Sequence, residues 1–202
     1  YVFLIWMFMP LFPREKWLFL CKGEISMRHA ITKGQGLDEL QLTQIKAVAP
    51  LVDAVVLREK QLSQQALAQG IEQLLALGVP ATKLIVHSMP SLAEAYQLLG
   101  CHFASDAIVY GNDFPFLCGQ STHSVEEALR CENRGMDYIY FSHIFPSSSK
   151  PNLAPRGLAA LTDVCAATSI PVIALGGINK RNQHLLATTG ASGFAAISMF
   201  FN

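Results

Sequence analysis

Three observations predict an α/β chain folded as a closed parallel (β/α)8 barrel, the TIM architecture. Eight short β-rich runs recur along the chain, helical patterns separate them, and no Gly-rich turn follows the first run. The first two give parallel strands with helical crossovers. The third counts against a doubly wound open sheet, the runner-up, whose first strand should lead into such a turn. At 202 residues the chain can form one such domain around a sizeable core.

The elements follow in order. Residues 28–32 (RHAIT) give the first strand, and a helix is expected over 37–49. In 53–58 (DAVVLR) apolar residues crowd together without alternation, as in a strand covered on both faces. Over 63–77, Leu67, Ile71, Leu74 and Leu75 fall on one side of a helix that Gly78 and Pro80 stop. Residues 83–87 (KLIVH) form the third strand, and 91–99 the next helix. Strands at 101–104 and 116–119 are joined by a short connection containing Gly111, Asn112 and Pro115. A helix over 124–134 opens with a capping box pairing Ser124 with Glu127. The sixth strand is 137–142 (DYIYFS), the seventh 171–175 (PVIAL) and the eighth 193–197 (GFAAI), with helices over 157–168 and 180–188. No helix pattern follows the eighth strand, so residues 27–202 are read as one barrel domain with its last helix truncated.

Residues 1–26 are set apart. The apolar opening is interrupted by Pro10, Pro13, Arg14, Glu15 and Lys16, which suits neither a membrane span nor a buried helix. It has no basic start and no small-residue cleavage site, so it is no ordinary signal peptide. Met27 follows Lys22-Gly23-Glu24, whose codons can contain a ribosome-binding sequence. Residues 1–26 are therefore read as a leader or non-native segment.

Composition narrows the function. A 51% hydrophobic and 15% charged chain is globular rather than disordered. Fifteen basic and fifteen acidic residues leave a formal charge of zero, which offers nucleic acid no general attraction. Any anion must be gripped locally. Five scattered cysteines with no CxxC pair indicate neither a zinc site nor a disulfide framework, and suggest reduced thiols in the cytoplasm.

In such barrels the active site forms at the carboxyl ends of the strands. The polar residues there are Arg58, Lys60, His87, His123, His143, Ser147, Ser149, Lys150, Gly176, Gly177 and Ser198. Gly176-Gly177 with Ser198 suit a phosphate, because glycine lets backbone N–H groups approach an anion closely. Ser147, Ser149 and Lys150 form a hydroxyl-rich loop ending in a cation, a second anion cradle. His123 stands between a strand end and a helix cap, and its ordinary pKa of about 6.5 suits proton transfer near neutrality. His29 and His102 fall within strands and read as core groups; His184 lies mid-helix.

These residues resemble the thiamine-phosphate synthase/TenI superfamily. The resemblance lies in Ser121-Thr122-His123-Ser124-Val125-Glu126-Glu127-Ala128, Asp137-Tyr138-Ile139, His143-Ile144-Phe145-Pro146, the 170–178 stretch and Gly190-Ala191-Ser192-Gly193. It runs from about Met27 to the end. The superfamily implies two activities. Synthases join a pyrimidine pyrophosphate to a thiazole phosphate with magnesium; TenI-type tautomerases aromatise a carboxythiazole phosphate by a metal-free proton shift.

Val56-Leu57-Arg58-Glu59-Lys60 keeps the synthase Arg and Lys but not its Gln. His87-Ser88 stand where synthases carry a magnesium aspartate, and Asp106 falls one position early for the second. Neutral His and Ser hold magnesium poorly. These losses, with His123 retained, direct the expectation to an isomerase, a thiazole tautomerase with His123 as acid/base. Gly176, Gly177 and Ser198 would anchor phosphate, and Arg58 or Lys60 would face the carboxylate. Ser147, Ser149 and Lys150 preserve the synthase's pyrophosphate pattern. No cofactor is expected, magnesium entering only with the synthase alternative; a non-catalytic ligand-binding regulator is the other alternative. The expected partner is a small phosphorylated thiazole, with neither membrane nor nucleic acid, and a homodimer is compatible with the superfamily.

Overall fold

The computed structural model describes residues 27–147 and 151–201. The leader assigned to residues 1–26 and the anion contacts assigned to Ser149 and Lys150 lie outside the described residues. Eight parallel strands close into a barrel in sequence order: β1 (Met27–Ile31), β2 (Ala54–Leu57), β3 (Leu84–His87), β4 (Gly100–Phe103), β5 (Leu117–Thr122), β6 (Tyr138–Ser142), β7 (Val172–Leu175) and β8 (Gly193–Ala196). The ring shuts where Met27 of β1 registers with Gly193 of β8. Between the strands lie α1 (Glu39–Val48), α2 (Gln64–Ala76), α3 (Pro90–Ala95), α4 (Val125–Asn133) and α5 (Gly157–Ala167). No helix among the described residues is long and apolar enough to cross a membrane.

Strand alternation sorts side chains into two cores. On β6, Ile139 and Phe141 join the outer core beneath the helices, with Leu67, Ile71 and Leu74 of α2 and Leu161 and Val164 of α5. Tyr138 and Tyr140 instead fill the barrel interior with Ile31, Val56, Ile85, Leu117 and Ile173. The covering on both faces explains why the strands read as apolar runs.

Room for Tyr138 comes from Gly119 on β5, where a Cβ would come within 2.1 Å of the Tyr138 ring. Gly119→Ala should cost about 1–3 kcal/mol of stability from overpacking, checked by urea unfolding.

Three elements differ from expectation, the first being the helix expected over 91–99, which covers only Pro90–Ala95. The helix expected over 180–188 is a 3-10 turn over Gln183–Thr188. Asn179 and Asn182 direct their side chains at nearby backbone: Asn179 N–H donates to Asn182 Oδ1 at 2.8 Å, and both side-chain amides donate to the Gly177 carbonyl. Such local bonds compete with an α-helical ladder. Strand β5 also runs beyond residue 119 to Thr122, whose hydroxyl donates to the Tyr140 carbonyl at 3.1 Å. Its polar end hid three strand residues from an apolar-run reading.

Candidate active site

Each strand delivers its last residues to one mouth of the barrel. There a cavity of about 610 Å³ is lined by Arg58, Lys60, His87, His123, His143 and Ser147, with Gly176, Gly177 and Ser198. Every expected site residue among the described ones thus shares one space. Four further polar residues of the wall were missed: Ser105, Ser121, Ser142 and Asn179. Ser121 could have been found by counting strand parity from Gly119, since alternate β5 residues face inward.

The glycine corner is built by backbone geometry. Gly176 and Gly177 have φ +102° and +68°, conformations that L side chains rarely adopt. The loop after β6 packs against them: Ile144 N–H donates to the Leu175 carbonyl and Phe145 N–H to the Gly176 carbonyl, both at 3.1 Å. A Cβ on Gly177 would come within 2.6 Å of the Phe145 carbonyl oxygen. The corner and the loop carrying Ser147 therefore fit only while residue 177 has no side chain. Across the loop, Arg156 Nε donates to the Ser142 carbonyl at 2.8 Å and the guanidinium lies over the Phe141 ring.

His123 is held from both sides. Ser124 caps α4 by accepting from Glu127 N–H at 3.2 Å. The Glu127 carboxylate reaches back one residue further than a capping box requires and accepts from His123 N–H at 2.6 Å. His123 Nδ1 lies 3.1 Å from the Ser142 carbonyl oxygen, so Nδ1 carries the proton and Nε2 is the basic atom.

Beneath the mouth lies a buried polar network. His102 Nε2 is 3.0 Å from Ser121 Oγ and its Nδ1 3.3 Å from the Tyr138 hydroxyl; His29 Nδ1 is 2.5 Å from the Tyr140 hydroxyl. The His102 ring stacks on Tyr140 with centroids 3.9 Å apart. Burial drives these groups to their neutral forms. His29 is pushed down to about 3, and His102 well below its ordinary value by burial first and then by His87 and nearby cations. His87, at the upper edge of the network, is lowered to about 4 by burial and then by the Arg58 and Lys60 charges.

Between the two cations in sequence, Glu59 turns away from the cavity. It is buried and accepts from Gly36 N–H at 2.7 Å and from Gln61 Nε2 at 3.0 Å, pinning the loop after β1. Asp106 is exposed and does not line the cavity.

Residues 29–200 match the family described as thiamine monophosphate synthase (TMP-TENI). The chain belongs to this family. It is 38% identical over 151 residues to a thiamine-phosphate synthase of Chlorobium phaeovibrioides, covering 70% of this chain and 71% of that one. A putative thiamine-phosphate synthase 2 of Aquifex aeolicus is 33% identical over 88% of this chain and 98% of its own length. Among solved structures, a thiamine phosphate pyrophosphorylase of Pyrococcus furiosus superposes with TM-score 0.69 at 26% identity, covering 85% of each chain.

This kinship corrects the tautomerase expectation. Relatives at 33–40% identity carry the synthase name, so the isomerase reading gives way to the synthase alternative. The earlier expectation rested on two absent aspartates and one histidine. Losing metal ligands changes how negative charge is stabilised; it does not by itself give the remaining histidine a proton to move.

Proposed function

We propose that the protein is a thiamine-phosphate synthase-type transferase, joining a pyrimidine diphosphate to a thiazole phosphate. The observation that carries this reading is one cavity with two separate anion-binding edges, Arg58 and Lys60 after β2 and the Gly176-Gly177 and Ser198 corner after β7 and β8. A condensing enzyme with two phosphorylated substrates uses both edges, and the synthase names of the relatives favour that use over a phosphate and a carboxylate on one substrate.

In this reaction the thiazole nitrogen forms a bond to the methylene carbon of the pyrimidine as the carbon–oxygen bond to diphosphate breaks. The electron pair leaves with the diphosphate oxygen, and nothing is oxidised or reduced. Arg58, Lys60 and Ser147 hold the diphosphate, with Ser149 and Lys150 carried over by resemblance. The glycine corner and Ser198 hold the thiazole phosphate, aligning the two reacting atoms, which removes much of the entropic barrier. His123, relieved of tautomerase chemistry, is a fixed polar contact in the wall.

The resemblance also implies magnesium, and the donor set does not fit it. The cavity wall carries cations, imidazoles and hydroxyls but no carboxylate among the described residues. No group of three His, Cys, Asp or Glu side chains among them could hold a metal ion. A hard dication wants oxygen ligands, usually carboxylates.

The test supplies both substrates with and without magnesium and measures thiamine phosphate chromatographically. Product is expected, and its absence under every condition overturns the proposal. Arg58→Ala should lower kcat/KM by about 30- to 150-fold, equivalent to the roughly 2–3 kcal/mol of a charge-assisted hydrogen bond.

A further inference from the structure

We infer that Arg58, Lys60 and His87 form a diphosphate subsite that takes its anion without a divalent cation. The inference rests on the synthase reading for the identity of the anion. Its basis is the misfit between the magnesium that resemblance implies and the residues that line this wall.

The three side chains sit at the ends of adjacent strands. Arg58 and Lys60 follow β2 and His87 ends β3, with Val56 of β2 registering with Ile85 and Leu57 with Val86. All three line the same cavity. Both cations line the cavity and no carboxylate among the described residues does. Glu59 and Asp106 both lie off the cavity wall, the Glu59 carboxylate accepting from Gly36 N–H and Gln61 Nε2 instead.

A wall of this kind favours the most negative form of its ligand. Magnesium bound to diphosphate removes two negative charges from it, and no carboxylate in the wall is there to hold the metal in return. The subsite therefore prefers the bare anion, the reverse of a site organised around a dication.

The pair His87-Ser88 suits this role in a way that the synthase pair ending in aspartate could not. An aspartate beside diphosphate repels it unless a metal stands between them. The His87 imidazole is neutral in the free protein, so it adds no repulsion to the Arg58 and Lys60 pair, and it offers an N–H to an arriving oxygen. The groups facing it from below are neutral as well. His102, with its ring centroid 6.2 Å from that of His87, is buried, and behind it lie His29, Tyr138 and Tyr140. None of these rings carries a carboxylate that a cation would be needed to neutralise.

The experiment is calorimetric titration of the full chain with inorganic diphosphate, once in EDTA and once in excess magnesium. Binding in EDTA is expected, with affinity lowered by magnesium on the order of tenfold. Binding seen only with magnesium overturns the inference, as does no binding in either buffer. His87→Asp should lose at least about tenfold in EDTA and recover when magnesium is added, because it introduces both a repulsive carboxylate and a metal ligand into the wall. Unchanged affinity of that variant in EDTA also overturns it. His87→Asn, which keeps a neutral N–H donor, should bind within a few-fold of the wild type in EDTA; a loss as large as that of the aspartate variant counts against the charge argument. These measurements do not depend on turnover. If no thiamine phosphate forms while metal-free diphosphate binding persists, the synthase reading fails and the subsite stands.

Discussion

Gly177→Ala is expected to lose tight binding of the thiazole phosphate while leaving a folded barrel. Two costs meet at this residue. Its φ of +68° is left-handed, which costs an L residue about 1–2 kcal/mol. A Cβ there would also press on the carbonyl oxygens of Phe145 and Pro146, and relieving such overpacking costs about 1–3 kcal/mol. The contact is with backbone, so no flexible side chain can swing aside. Either the glycine corner or the loop bearing Ser147 must move, and both are the anion contacts we propose.

An affinity loss of about 30-fold or more, read by titration with the thiazole phosphate, corresponds to roughly 2 kcal/mol of that displacement. Melting temperature should fall by roughly 5–15 °C for a domain of this size. Gly78→Ala separates the two costs. It has φ +85° with nothing within 4 Å of a new Cβ, and it lies outside the cavity. That variant should lose stability without losing phosphate affinity. Equal affinity losses in both variants would remove the steric argument.

How much of this was legible in the sequence depends on what each residue reports. Ile139, Phe141, Val172 and Ala174 sit in strands covered by helices, so their apolar density announced the barrel without any contact being known. The mouth was legible for the same reason: once strand ends are located, Arg58, His87, His123 and Gly176 must face one space. The barrel interior was harder. Tyr138, Tyr140, His29 and His102 satisfy one another across β1, β4 and β6, and no local pattern says that a histidine in one strand will meet a tyrosine more than a hundred residues away. Ser121 was placed in a loop because a polar strand end looks like one.

The chemistry was the least legible. His87-Ser88, where the resemblance implies a magnesium aspartate, speaks to the charge at one strand end. It says nothing of which bond the enzyme makes, and similarity to synthases over 70% and 88% of the chain overrides it.

The same interior makes the fold sensitive to acid. His29 and His102 are 0% and 2% exposed and neutral when folded, His29 titrating at about 3 and His102 well below its ordinary value, burial being the main cause for each. Once unfolded, each returns to about 6.5. Below that pH the unfolded chain binds protons that the folded chain refuses, so stability is fully present above about 6.5 and falls as pH falls. Each proton contributes about 1.4 kcal/mol per pH unit, so the two buried rings together give a slope of roughly 3 kcal/mol per unit.

Between pH 6.5 and 5 the loss reaches roughly 3 kcal/mol, a large share of the 5–15 kcal/mol that holds a typical domain together. His87, lowered to about 4 but partly exposed, adds a smaller part in the same direction. Carboxylates act later. Glu132, held below its ordinary value by Ser169, surrenders its contribution only as pH drops under the usual carboxylate range. The histidines therefore set the onset.

Urea unfolding at pH 7, 6 and 5 should show a midpoint that collapses over this interval. His102→Gln should lower the slope by about one proton, whatever its stability at pH 7. A midpoint that stays level from pH 7 to pH 5 would mean that these rings are charged in the folded barrel, and that the network beneath the site is held by different chemistry.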